Sequence, residues 1–187
     1  MVKRVELRMV AESDLDVFDA AFQSEAGASE YQWFGFTPTH GLRDALRTRA
    51  LLAGPDNMLS VTVDGELVGR VEWLERRWGR RDTSLCWEIA IGILPEQRGR
   101  GIGKAAQYQL VSYLFTHTRV ERIQATTDPE NQAELACLKH VGFAHEGVVR
   151  RAQWRLGRWH DQMLFSILRS EFEADTRNPL REGIIGV

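Results

Sequence analysis

Cysteine is nearly absent from this chain. Cys86 and Cys137 are the only two among 187 residues, too few for a disulfide framework, and they read as free thiols of a reducing compartment. Lysine is scarce as well, since only Lys3, Lys104 and Lys139 interrupt a positive charge otherwise carried by arginine. Neither sign of charge dominates: 24 Lys and Arg stand against 26 Asp and Glu, a formal net charge of −2. A molecule so balanced has no overall field to hold nucleic acid or an anionic membrane, and neither is expected as a partner. No apolar run approaches the roughly 18 residues of a membrane-spanning helix. Lys3, Arg4 and Glu6 stand where a secretory signal needs its apolar stretch, so the expected compartment is the cytoplasm. Metal-ligand spacings are missing too. His145, His160 and Asp161 form neither a zinc set nor a triad, and no Gly-x-Ser-x-Gly elbow supplies a serine nucleophile, so no metal is expected. Without linker, repeat or low-complexity block, one domain is expected over residues 1–175, with a tail over 176–187.

What is present is enough for a core, with 43% hydrophobic residues in alternating and helical patterns. Val5, Leu7 and Met9 alternate with polar neighbours in a first strand, and Ser13, with Asp14 and Asp16 behind it, caps a helix through Phe22. Residues 25–40 have no clean period and read as a long loop or short helix. Gly41 to Leu52 reads as a helix. Met58 to Val63 and Leu67 to Trp73 flank Asp64-Gly65, the strongest hairpin signal in the chain. A charged turn at 78–82 precedes a strand from Ser84 to Ile93, which stops before Pro95. Helical spacing from Gly103 to His117, a strand from Glu121 to Thr127 and a helix from Asn131 to Val141 follow. Two strands, Phe143 to Ala152 and Trp159 to Leu168, close the chain. This order belongs to the α+β or mixed-sheet class.

The segment from Ile89 to Lys104 joins a strand to a helix through Gly99, Gly101 and Gly103. Glycines at alternate positions open conformations closed to other residues and leave successive N–H groups free to face one anion. The helix N-terminus behind them adds unpaired donors, and Arg98, Arg100 and Lys104 add charge, so a diphosphate suits the turn. It is not a Walker A loop, because no Gly-Lys-Ser/Thr follows, and the spacing misses the dinucleotide fingerprint. A structural turn remains the other reading.

Arg98-Gly99-Arg100-Gly101-Ile102-Gly103 resembles the Arg/Gln-x-x-Gly-x-Gly/Ala pyrophosphate loop of the GCN5-related N-acetyltransferases (GNAT). The resemblance extends through Asn131 and Gly142-Phe143. Glu88 to Gly103, with the ending from Glu146-Gly147 to Trp159-His160-Asp161, looks most like the branch that acetylates N-terminal α-amines of ribosomal proteins. It implies an α+β fold with a mixed, mostly antiparallel twisted sheet, splayed at the parallel strands 4 and 5 and flanked by helices. It also implies acetyl-CoA as co-substrate, without a metal. Backbone amides of Arg98, Gly99, Arg100, Gly101, Ile102, Gly103 and Lys104 would hold the diphosphate. The backbone of Ile91 and Ile93 would pair with the pantetheine arm, and Asn131 would contact the cofactor from across the cleft.

Amide formation from a thioester needs a neutral amine, a polarised carbonyl and a thiol able to leave. Alternation puts Glu88, Ala90 and Gly92 on one face of their strand, small residues beside a carboxylate. The resemblance makes Glu88 the base; the bland alternative is a carboxylate paired with an arginine. Asn131 with Glu134 also reads as a helix-capping pair. The branch often has Ser where Glu134 stands, and many members have Tyr where Leu138 stands, so no residue is assigned as general acid. Cys137 reads as packing. Asp161 matches a Trp-x-Asp segment and reads as structural or as substrate rim. Tyr31, Trp33, Phe34 and Phe36 fall where the family places its acceptor walls. Arginines beside Trp73, Trp78, Trp154 and Trp159 read as stems packed on indoles. The expected activity is transfer of acetyl to a primary amine, a protein N-terminal α-amine or a small molecule, within a ternary complex. An acyl-CoA-binding sensor or scaffold is the alternative, and a homodimer stays open.

Overall fold

Asp64 and Gly65 both take positive φ, 52° and 86°, the type I′ geometry whose twist suits a two-residue hairpin. They join β2 (Asp56–Val63) to β3 (Glu66–Arg77) in the structure, a computed structural model that describes residues 4–177. β1 (Val5–Arg8) pairs antiparallel with β2, and β4 (Leu85–Ile93) pairs antiparallel with β3. β5 (Arg122–Thr127) lies parallel to β4, and the hairpin of β6 (Ala144–Arg155) and β7 (Arg158–Leu168) completes a sheet of order β1-β2-β3-β4-β5-β7-β6. Every other neighbouring pair is antiparallel, so the α+β fold with one parallel pair at strands 4 and 5 is the fold observed.

Seven helices accompany the described strands: α1 (Glu12–Phe22), α2 (Glu25–Ala28), α3 (His40–Arg49), α4 (Arg81–Ser84), α5 (Ile102–His117), α6 (Gln132–Val141) and α7 (Arg169–Ala174). α5 turns Ala106, Leu110, Val111 and Leu114 onto the sheet, all inaccessible to solvent, each large side chain contributing about 1.5–3 kcal/mol by burial. They meet Val71, Trp73, Ile89 and Ile123 from β3, β4 and β5, and Leu138 from α6. A second cluster, Leu15 and Phe18 of α1 with Leu51 and Met58, covers the opposite face.

Several boundaries differ from expectation. α1 begins at Glu12, and the Asp14 carboxylate accepts the Ala11 N–H at 2.9 Å while also bonding Arg8 and Ser60. This buried network fixes the helix start where Ser13 reads as the cap. β1 stops at Arg8, before Met9 and Val10, where the chain turns toward α1. The charged turn holds a single helical turn, α4, and α7 has no counterpart in the sequence reading. Of the expected tail, residues 178–187 lie outside those described.

A polar row crosses the last three strands: Arg122 on β5 donates to both oxygens of Glu146 on β6 at 2.5 Å, and Ser166 of β7 donates at 2.7 Å. The Arg122 guanidinium, with help from Ser166, pulls the Glu146 carboxyl down to about 2. A depressed carboxyl contributes stability that is full above its unfolded value near 4.3 and is lost as pH falls toward 2. Glu146 is 36% exposed, so the contribution stays below about 1 kcal/mol. Urea titrations of wild type and Glu146→Gln are expected to differ at pH 6, to narrow below about pH 4 and to converge only as pH falls through 2; a constant gap would refute the assignment.

Candidate active site

Parallel pairing of β4 and β5 consists of two steps, Trp87↔Ile123 and Glu88↔Gln124. Beyond them the strands part, and a cavity of about 550 Å³ opens. One wall is the β4 segment from Ile89 to Ile93; the other is Thr126, Asn131 and the α6 face carrying Glu134 and Cys137. The loop from Gln97 to Lys104 closes one end. On the other side of β4 a cavity of about 230 Å³ is bounded by Phe18 and Phe22 of α1, Trp33 and Phe34 of the following loop, and Arg70 and Glu72 of β3. Both cavities share Ala90, Ile91, Gly92, Ala28 and Gln32. They meet across the small residues of one strand.

The loop that closes the larger cavity has Gly99 at φ 72° and Gly101 at φ 77°, left-handed conformations that disfavour side chains. A Cβ at either position would meet nothing within 4 Å, so the demand is conformational. Gly101 is the N-cap of α5 and no side chain caps the helix, leaving first-turn N–H groups available to an anion. Ile102, Gly103 and Lys104 line the cavity. Arg98 lines it too, yet its guanidinium donates to the carbonyls of Ile93, at 3.0 Å, and Gly27. Its charge ties the loop to β4 and α2. Arg100 turns away to the Gln97 side chain, which leaves Lys104 as the lysine at this end. Asn131 combines its two readings: its Oδ1 accepts the Glu134 N–H at 3.2 Å, and it faces the cavity.

Ile91 and Ile93 line the larger cavity. Glu88 belongs to neither cavity lining. It sits at the last β4–β5 pair, 16% exposed, and accepts from Gln124 Nε2 at 2.8 Å, Arg76 Nε at 3.1 Å and Thr126 Oγ1 at 3.4 Å. Thr126, its neighbour, does reach the cavity. Of the four aromatics, Trp33 and Phe34 line the smaller cavity and Tyr31 the larger. Phe36 lines neither; it packs edge-on to Trp33 at 5.4 Å and is 83% exposed. Asp161 accepts the Arg151 N–H at 2.8 Å and shapes the β6–β7 hairpin.

Three features escaped the sequence reading. Glu72 faces the smaller cavity beside Arg70 at 2.6 Å, with the Arg70 guanidinium 4.8 Å from the Phe22 ring. Alternation along β3, opposite Ala90, was the available signal. Glu134 lines the larger cavity, and Gln107 Nε2 donates to both its oxygens at 2.8 and 2.9 Å. Burial pushes its carboxyl up, against the Gln107 bond. Burial, followed by the Glu134 charge, also pushes the Cys137 thiol up to about 11. Third, Arg155 of β6 donates to Asp128 at 2.6 Å and to the Tyr31 carbonyl at 3.3 Å, while the Tyr31 hydroxyl donates to the Glu130 carbonyl at 3.2 Å. The hairpin, the β5–α6 loop and the aromatic loop are thus joined. Among the described residues no helix is long and apolar enough to cross a membrane, and no cluster of three or more His, Cys, Asp or Glu could hold a metal ion.

A sheet parted at its one parallel pair, with a glycine turn on a helix N-terminus beside the gap, is the arrangement that the acetyltransferase resemblance implied. The chain belongs to the GNAT acetyltransferase family, whose model, described as acetyltransferase (GNAT) domain, matches residues 4–144. It is 27% identical over 177 residues to the uncharacterized N-acetyltransferase p20 of Bacillus licheniformis, covering 91% of this chain and 96% of that one. RimJ of Mycobacterium smegmatis in complex with CoA-disulfide superposes with a TM-score of 0.76 at 26% identity, covering 89% and 83% of the two chains. The spermidine N-acetyltransferase of Vibrio cholerae, in complex with CoA and spermine, has the same fold, with a TM-score of 0.76 at 21% identity over 89% and 96%.

Proposed function

We propose that the protein transfers acetyl from acetyl-CoA directly to a primary amine held beside it. The observation that carries this reading is the meeting of two cavities across Ala90 to Gly92. A thioester extended along Ile91 and Ile93 would bring its carbonyl carbon to the junction, where an amine from the other side can reach it. The glycine turn fits a diphosphate: φ is left-handed, the α5 N–H groups are uncapped, and Lys104 stands nearby.

The carboxylates of the smaller cavity already have partners: Glu72 lies 2.6 Å from Arg70, and Asp19 accepts from Arg43, which it shares with Asp16, and from Thr39, each at 2.9 Å. A polycationic amine gains little from such a wall. The reading is therefore a compact monoamine or a protein N-terminal α-amine, flanked by Trp33 and Phe34. The amine proton leaves toward the polar face of β3 and β4, where Glu88 accepts it by way of water and the Thr126 side of the junction.

The test is acetyl-CoA-dependent thiol release over a panel of peptide N-termini, amino sugars, small monoamines and polyamines. Peptides or monoamines are expected to react and polyamines to lag. Glu88→Gln is expected to lower kcat about 100-fold and to shift the pH profile upward, the size typical of general-base loss. If Glu72→Gln does so instead, the proton goes to the acceptor wall. Binding of acetyl-CoA without release from any amine would move the reading to an acyl-CoA sensor.

A further inference from the structure

Gln124 stands directly across the last β4–β5 pair from Glu88, and it is buried. Its Oε1 faces donors: Trp78 Nε1 at 2.9 Å, with Arg122 Nε and Cys86 Sγ each at 3.5 Å. An indole N–H and a guanidinium can only donate. The amide is therefore fixed one way round, with its NH2 toward Glu88, and Nε2 donates to Glu88 Oε2 at 2.8 Å. Building on the acetyl-transfer reading above, with Glu88 as its base, we infer that Gln124, held by the Trp78 indole, is the positioning residue that presents the Glu88 carboxylate to the cleft.

The two Glu88 oxygens are not equivalent. Oε2 takes both nitrogen donors, Gln124 Nε2 and Arg76 Nε, whereas Oε1 has, among the described residues, the long 3.4 Å bond from Thr126 Oγ1. Thr126 lines the larger cavity, so Oε1 is the oxygen left on the cavity side, with a lone pair free for water. Arg76 alone would hold Oε2 poorly, because about half of its side chain is exposed and water competes for its bond. Gln124 has no such freedom, since its own oxygen is tied to Trp78. Trp78 is anchored in turn by its backbone N–H, which donates to the Ser84 carbonyl at 3.1 Å, while its ring is exposed and lies outside both cavities. A group on the surface thus sets the direction of a carboxylate at the strand junction. During transfer the proton given up by the amine passes through water to Oε1 and from there to solvent. Gln124 and Arg76 keep their own protons throughout.

The experiment uses the full chain, with an amine from the panel that wild type acetylates, and reads kcat, acceptor KM and, by calorimetry, acetyl-CoA affinity. Gln124→Met keeps the length of the side chain and removes the amide. It is expected to lower kcat about 30-fold, within the range for a displaced catalytic group, and to leave acceptor KM and acetyl-CoA affinity within about 2-fold of wild type. Trp78→Phe removes one N–H from an exposed ring; it is expected to fold as wild type does and to lower kcat about 5-fold, the size of one hydrogen bond. Gln124→Met in a Glu88→Gln background separates positioning from support, because a residue that acts through Glu88 costs less than about 2-fold once the carboxylate is gone.

Equal losses in both backgrounds would show a structural role and overturn the inference. So would a rise in KM and in the acetyl-CoA dissociation constant that matches the fall in kcat. Wild-type kcat in Gln124→Met would overturn it while leaving Glu88 as the base. Wild-type kcat in Trp78→Phe beside a slow Gln124→Met would overturn the part given to the indole. Wild-type kcat in Glu88→Gln, or no turnover of any amine, would instead overturn the reading on which the inference rests.

Discussion

Gly101→Val is expected to raise the dissociation constant for acetyl-CoA by at least about 100-fold, equivalent to ~2.7 kcal/mol, with the fold retained. Gly101 has φ 77° and an open Cβ position. The Cβ of a valine there meets nothing within 4 Å, but a left-handed residue with a Cβ costs about 1–2 kcal/mol, and β-branching adds to it. The exposed loop can relieve that strain only by changing φ, which swings the N–H groups at the start of α5 away from a common focus. Binding is lost through geometry. Gly65 is the matched control, since it has φ 86°, an open Cβ position and a place in the β2–β3 hairpin that lines neither cavity. Gly65→Val should lower stability by a similar 1–2 kcal/mol and leave acetyl-CoA affinity unchanged. Calorimetry with acetyl-CoA and urea unfolding of both variants separate strain from recognition. Wild-type affinity in Gly101→Val would remove the loop from the donor site.

The shape of that loop was legible in the sequence because its cause is local: three glycines between a strand and a helix set a left-handed turn onto a helix N-terminus within six residues. The Asp64-Gly65 hairpin, the α5 periodicity and the end of α6 at Gly142 were legible for the same reason. Elements whose cause lies elsewhere in the chain were not. α7 has one core residue, Phe172, which packs 5.4 Å from Phe115 and 5.7 Å from Tyr108, and a single aromatic gives no period. The start of α1 depends on Asp14 meeting Arg8 and Ser60, one of them 46 residues away. The site divides in the same way. Ile91, Ile93 and Asn131 came with the resemblance and do line the larger cavity, whereas Glu72 and Glu134 become cavity residues only through the splay and the α5–α6 contact. Glu88 shows both effects. Alternation put it on the correct face, but the Gln124 and Thr126 donors that hold it come from a strand 36 to 38 residues onward.

Arg155→Ala is expected to destabilise the protein by about 3–5 kcal/mol, the range for removing one partner of a buried ion pair. The Arg155 and Asp128 side chains are 2% and 4% exposed and meet at 2.6 Å. Burial alone would push the Asp128 carboxyl up, but the Glu130 N–H, Arg155 and the nearby His160 outweigh it and hold it below the usual range. Without Arg155, Asp128 must either stay charged in a nearly dry site or take up a proton. The penalty is large against a typical total of about 5–15 kcal/mol, and urea midpoints at constant m-value would measure it. Asp128→Asn/Arg155→Met removes both charges and should recover much of the loss. Activity should not recover with it. Arg155 also holds the Tyr31 carbonyl, and Asp128 accepts from Glu130 N–H at 2.9 Å just ahead of Asn131. The pair therefore positions two parts of the larger cavity's wall, and the Tyr31 loop leads on to Trp33 and Phe34 of the smaller one. In the double variant the acceptor KM should stay raised about 10-fold after stability has returned, because the Tyr31 loop has lost its anchor to β6. A double variant that recovers stability and acceptor KM together would show that the ion pair supports the fold and leaves the walls of the cleft unaffected.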